Sequence, residues 1–208
     1  MIRVMRNFWE NTGYNLKISL LLVVLAVVLA VVFPTAPRWL KMGAMLISWF
    51  ADMMLARYAP FTRLMGGYSF MKGAALFMLA HLLYLAAYIL LTHSGRWPVI
   101  NTGFWLGLAV LAGSLLLLVG AYIKNPVKSP GLLLVGILYS LVIGILGLTV
   151  FTYAFEKKGV AFLSLLGIIS FMFSDLLIGL EKIGGLDFSR RDALVWIFYP
   201  LGQLLLIL

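Results

Sequence analysis

The sequence predicts an all-α fold, a single polytopic transmembrane bundle of about seven helices across residues 1–208. Three observations carry this. The chain is 63% hydrophobic and 11% charged, with a mean hydropathy of +1.07, whereas soluble domains run at about 45–50% apolar and about 25% charged residues. Apolar stretches near the roughly 20 residues that a spanning helix needs recur along the whole chain and leave no room for a separate soluble domain. Between them fall clusters of glycine, proline and basic residues, the turn chemistry expected between helices.

The first predicted helix, 15–33, follows a basic segment from Met1 to Asn15 that carries Arg3 and Arg6. Its apolar run is too long for a signal-peptide core and ends without a small-residue cleavage site, so it is read as a retained helix. Pro34 and Pro37 close it, because proline lacks the N–H that would continue the backbone ladder. The second, 37–58, gives way at Gly66-Gly67 to the third, 68–92, which stops at Ser94-Gly95 and Pro98. The fourth, 102–123, ends at Asn125-Pro126, and Pro130 precedes the fifth, 131–154. Lys157-Lys158-Gly159 separates that helix from the sixth, 159–181, and Gly184-Gly185 precedes the seventh, 192–208.

The net charge of +9 comes from lysines and arginines set mostly at the edges of apolar stretches, where they fix topology and meet anionic lipid headgroups. The lipid bilayer is the expected partner, and nucleic acid is not. Arg3, Arg6, Lys17, Arg57, Arg63, Lys72, Lys124, Lys128, Lys182, Arg190 and Arg191 fall on one side, against Arg38, Lys41, Arg96, Lys157 and Lys158 on the other. The positive-inside rule then predicts a cytoplasmic N-terminus and an external C-terminus in a multi-pass cell-membrane protein, with a bacterial inner membrane the expected location. Cysteine is absent, which excludes disulfides, thiolate metal sites and a cysteine nucleophile.

Shifting the chain by about 122–123 residues lays Asp52 on Asp175 and segment 77–83 on 199–205. That predicts a parallel three-one-three repeat, in which the second and third helices correspond to the sixth and seventh. The competing reading is a chance alignment of leucine-rich helices. In a true repeat, a pseudo-twofold axis would set the two aspartates at similar depth across one cavity.

Asp52 and Asp175 are the sharpest functional signal. They end the matching phrases Leu46-Ile47-Ser48-Trp49-Phe50-Ala51-Asp52 and Ile169-Ser170-Phe171-Met172-Phe173-Ser174-Asp175. A carboxylate at bilayer depth costs about 2.5–3.5 kcal/mol on insertion scales, so it marks function by default. Each is expected about six residues before the cytoplasmic end of its helix, roughly 9 Å inside the bilayer edge. The bland alternative is an interfacial carboxylate paired with Arg57 or Lys182. Two such groups in so apolar a setting could share a proton, one neutral donor beside one anion.

His81 lies mid-helix on one stripe with Phe77, Tyr84 and Tyr88. It could face a cavity or be a hydrogen-bonded core histidine, while His93 reads as interfacial. Tyr199 and Gln203 share a face of the last helix, with Trp196 one turn earlier, and Pro200 kinks that helix or frees a carbonyl. Gln203 could equally make a plain interhelical hydrogen bond. Tyr139 and Ser48 are weaker candidates, and Lys17 reads as a topology anchor or a phosphate contact. Asp52, His81 and Asp175 could together hold zinc with one open position. No local histidine pair supports this, and no metal or other cofactor is expected. No phosphate-binding glycine loop or G-x-S-x-G elbow occurs.

These residues, in this order, resemble the YhhN-like family of membrane lysoplasmalogenases. The resemblance rests on Phe50-Ala51-Asp52-Met53-Met54-Leu55, on Gly73, Phe77, His81 and Tyr84, on Phe173-Ser174-Asp175, and on Tyr199 with Gln203. It spans roughly residues 17–206. Two departures stand out: the family typically has eight helices, and its lysine-proline step near the second appears here as Lys17-Ile18. The resemblance implies hydrolysis of the vinyl ether bond of a lysophospholipid, a lysoplasmalogen, to a fatty aldehyde and a glycerophospho-base. Asp52 and Asp175 would be catalytic. A vinyl ether resists base but yields to acid, so a proton donor beside an anionic carboxylate suits it, as in glycosidases. His81, Tyr84, Tyr199 and Gln203 would orient water or glycerol oxygens, with Ser48 and Tyr139 as further candidates. From charge and location alone, Arg57, Arg63 or Lys182 could hold the phosphate.

A small-solute transporter of the SWEET type is the main alternative, since those carriers share a parallel three-one-three repeat. They tend to place prolines at matching positions of both halves, and Pro200 has no partner near Met78. A light sensor fits less well, because Lys41 and Lys72 lie near helix ends rather than at mid-depth.

Overall fold

The computed structural model describes residues 13–67, 69–92, 99–127, 129–186 and 189–208. Arg3 and Arg6, the turn residues His93, Ser94, Gly95, Arg96 and Pro98, and Lys128 lie outside the described residues. Those described form eight α-helices and no strand: α1 Tyr14–Val32, α2 Ala36–Leu55, α3 Ala59–Leu64, α4 Phe70–Leu91, α5 Thr102–Lys124, α6 Pro130–Lys157, α7 Ala161–Lys182 and α8 Arg191–Ile207. Seven of them are long and overlap the seven expected segments, and the eighth is the six-residue α3.

The difference arises at the end of α2, which stops at Leu55 rather than at residue 58. Arg57 takes φ 56° and turns the chain, and Pro60 opens α3 in the first turn, where a missing N–H breaks no helical hydrogen bond. Asp52 consequently stands three residues from the end of its helix, not six, while Asp175 stands seven before Lys182. After α3, Gly66 and Gly67 take φ 70° and 96°, conformations that side chains with a Cβ resist. Lys72 Nζ locks this turn by donating to the carbonyls of Met65 and Gly66 at 2.8 and 3.2 Å.

Five helices, α1, α4, α5, α6 and α7, are long and apolar enough to cross a membrane. The other two long ones fall short for local reasons. α2 carries Arg38, Lys41 and Asp52, and α8 is 17 residues long.

Interior contacts follow from small residues and buried aromatics. A Cβ on Gly202 of α8 would lie 2.8 Å from the Phe171 nitrogen and 2.9 Å from the Gly167 oxygen of α7, so these two backbones touch. On α5, a Cβ at Gly107 would lie 2.7 Å from the Leu148 Cα of α6. Small residues let membrane helices approach this closely, where van der Waals packing replaces the hydrophobic drive of water. Asn101 caps α5 through its Oδ1 and donates Nδ2 to the Thr152 carbonyl, pinning the start of α5 to α6.

α2 packs on α4, and α7 on α8, so each pair that the expected repeat equates is a packed pair. α4 also packs on α6, and α1 bridges α2 and α8. α5 rests on α6 and α7 but does not pack closely on α4, its predecessor in the chain.

Candidate functional site

The C-terminal end of α2, the last turns of α7 and the first turns of α4 and α8 surround a chamber of about 850 Å³. Asp52, Asp175, Phe77 and Tyr199 all line it. So do charged residues at the helix ends, among them Arg57, Lys182, Glu181, Arg191 and Asp192. Arg191 is paired with Glu181 at 2.7 Å and with Asp192 at 2.6 Å.

Each aspartate is held by a phenol. The Tyr199 hydroxyl donates to Asp52 Oδ2 at 2.7 Å, and the Tyr139 hydroxyl donates to Asp175 Oδ2 at 2.5 Å. These partners, rather than Arg57 or Lys182, bind the carboxyls, so the interfacial ion-pair reading does not describe either. Behind Tyr199 the polar chain continues. Gln203 Nε2 donates to the Tyr199 oxygen at 3.5 Å, and Gln203 Oε1 accepts the Tyr84 hydroxyl at 2.7 Å. Tyr84 and Gln203 are fully buried, so each group needs the other inside the bundle.

A second, narrow cleft of about 90 Å³ adjoins the chamber. Its walls are apolar residues of α4, α5, α6 and α7, including Ala74, Leu118, Val135 and Met172. Asp175 lines both spaces, with Phe77, Phe70, Leu55 and Ile178 along the same border. Asp52 and Tyr199 line only the chamber, and Tyr139 only the cleft. The site is therefore amphiphilic: a charged room and an oily slot that share one carboxyl.

The other expected site residues separate by distance from this border. Arg57 and Lys182 line the chamber, whereas Lys17 and Arg63 do not. α3 explains Arg63, because that helix carries it away from the end of α2. His81 and Tyr84 line neither space, since Phe77, one turn earlier on α4, occupies the wall. His81 is instead enclosed by aromatic rings, with Phe171 at 5.0 Å, Tyr139 at 5.4 Å and Phe77 at 6.3 Å. Both of its ring nitrogens are buried and lack a hydrogen-bond partner, as does the Ser48 hydroxyl. Among the described residues, no three histidine, aspartate or glutamate side chains gather closely enough to hold a metal ion, so the Asp52–His81–Asp175 set is not one. Sequence reasoning missed Arg191 and Glu181 as chamber residues; their proximity to a glycine pair hid that they face inward.

Fold and site together define a helical membrane bundle with paired carboxyls in an amphiphilic interior. The sequence signature of the YhhN family matches residues 13–208, and the chain belongs to that family. No curated protein and no solved structure gives a significant match.

Proposed function

We propose that the protein hydrolyses the vinyl ether bond of lysoplasmalogens, with Asp175 as the proton donor and Asp52 as the carboxylate that handles water. The observation that carries this is the position of Asp175, on the border between the charged chamber and the apolar cleft. A lysoplasmalogen has the same division, an alkenyl chain joined through one oxygen to a glycerophospho-base. With the first carbons of the chain in the cleft and the headgroup in the chamber, the vinyl ether lies at Asp175.

The reaction then balances without another reactant. Asp175 gives a proton to the vinyl carbon distal to oxygen, and the double-bond electrons form that C–H bond, leaving an oxocarbenium ion. Water adds to the carbon bearing oxygen while Asp52 takes its proton. The resulting hemiacetal breaks its bond to the glycerol oxygen, which leaves as an alcohol with that proton, and the hemiacetal hydroxyl loses its own to regenerate Asp175. The products are a fatty aldehyde and a glycerophospho-base. Tyr139 and Tyr199 fix the carboxyls in place, and Gln203 and Tyr84 fix Tyr199. Arg57 and Lys182 at the chamber's charged end suit the substrate phosphate.

The test is aldehyde release from alkenyl-lysophosphatidylethanolamine by the purified protein. Asp52→Asn and Asp175→Asn should each lower the rate by at least about 100-fold, the usual scale of a lost acid or base. Wild-type turnover in either variant, or no aldehyde from folded wild-type protein, would overturn the assignment.

A further inference from the structure

At the other end of the bundle, eleven residues back along α2 from Asp52 and so about 16 Å away, lies a separate cavity. It measures about 410 Å³ and opens between the start of α2, the end of α6 and the start of α7. Four cations line it, Arg38, Lys41, Lys157 and Lys158, against no aspartate or glutamate side chain, and the last residue, Leu208, borders it as well. Glu156 neutralises Lys157 at 3.4 Å. Among the described residues, no carboxyl oxygen reaches Arg38, Lys41 or Lys158 at ion-pairing distance.

Lys41 is the decisive residue. It is 4% exposed, and its ammonium lies 4.5 Å over the Tyr88 ring and donates to the Tyr88 hydroxyl at 3.3 Å. An ammonium has three donors, so one neutral phenol leaves it short of partners. A buried amine carries its charge only with an anion or water beside it, and bilayer proteins pair such charges or expose them to a water-filled cavity. Arg38 adds a second cation from the same helix, and it is braced by donating Nη1 to the Ile207 carbonyl at 2.6 Å. Lys158 joins the lining from the α6–α7 turn, where it takes φ 57°. The Tyr153 and Ser164 hydroxyls add neutral donors to the lining. Several cations and hydroxyl-bearing residues in one lining suit an anion that has several oxygens at one centre. The Leu91 and Leu163 side chains continue the same wall as apolar surface.

We propose that this basic cavity binds a phosphate group, carried by an anionic phospholipid headgroup or by a free phosphate compound. The site is distinct from the aspartate chamber and does not depend on the hydrolase reading.

Native mass spectrometry of the purified protein tests this, with phosphatidylglycerol and phosphatidylcholine offered in turn and inorganic phosphate added as competitor. Wild-type protein should retain phosphatidylglycerol about tenfold more tightly than phosphatidylcholine, a difference that one or two charge-assisted contacts supply. Lys41→Met and Lys158→Gln should each remove most of that preference. Lys158 is exposed on a turn, so its variant keeps the fold even if Lys41→Met does not. Displacement of the lipid by millimolar phosphate would assign the site to phosphate from either source, and resistance to it would assign the site to lipid headgroups. Equal retention of both lipids without thermal stabilisation by phosphate would overturn the proposal, as would wild-type retention in Lys158→Gln.

Discussion

Asp52 and Asp175 each have one oxygen occupied by a phenol, and both line the chamber. This makes the phenols separately testable. Tyr139→Phe and Tyr199→Phe remove a hydrogen bond to a carboxyl, about 1.5–3 kcal/mol when that group is charged. If the lost energy appears in the transition state, each variant should lower kcat for aldehyde release by about 10- to 100-fold with its melting temperature little changed. A second prediction concerns the polar chain behind them. Gln203→Leu leaves the Tyr84 hydroxyl buried without its partner and should cost about 1–3 kcal/mol of stability. Adding Tyr84→Phe should restore part of that loss, and thermal unfolding in detergent measures both. The aspartates were legible in the sequence because a carboxyl in an apolar run is anomalous whatever it touches. Tyr199 and Gln203 were legible as a pair one turn apart. Their link to Tyr84 was not, because it joins residues 119 apart through the packing of α4 and α8. Tyr139 ranked low for a similar reason: tyrosines are frequent in this chain, and only the fold brings one to Asp175.

At the scale of the helix, close backbone approach explains where side chains are excluded. Gly202→Val would drive a branched side chain into the Phe171 nitrogen and the Gly167 oxygen, and overpacking of this kind costs about 1–3 kcal/mol or more. Gly113 of α5 has nothing within 4 Å of its would-be Cβ, so Gly113→Val should change stability by less than about 0.5 kcal/mol. A comparison of the two melting temperatures separates contact from helix propensity. Most helix ends were legible because proline and glycine interrupt the apolar pattern in plain view. The end of α2 was not, since Met53-Met54-Leu55-Ala56 stays apolar through the turn, and the chain bends at an arginine rather than a glycine. α3 was hidden as well, because a six-residue helix is too short to show a period.

For the whole molecule, the basic-residue bias predicts that the aspartate chamber faces the cytoplasm and the Lys41 cavity faces outward. The lack of cysteine makes this directly measurable. Arg63→Cys and Val160→Cys, both at exposed positions, should react with a membrane-impermeant maleimide from the cytoplasmic and the external side respectively. Reversed labelling would invert the orientation. The bundle's general character was readable from composition alone, but its amphiphilic interior was not, because cavities depend on which helices fail to meet. One such gap bears on how products leave. The oily slot lies where α4 and α5 stand apart, while the charged room lies at the helix ends. For the hydrolysis proposed above, the long-chain aldehyde is thus left in oil and the glycerophospho-base in water. Two products that leave by different routes seldom meet again in the site, so rebinding of the pair is slow and the site clears after each turnover.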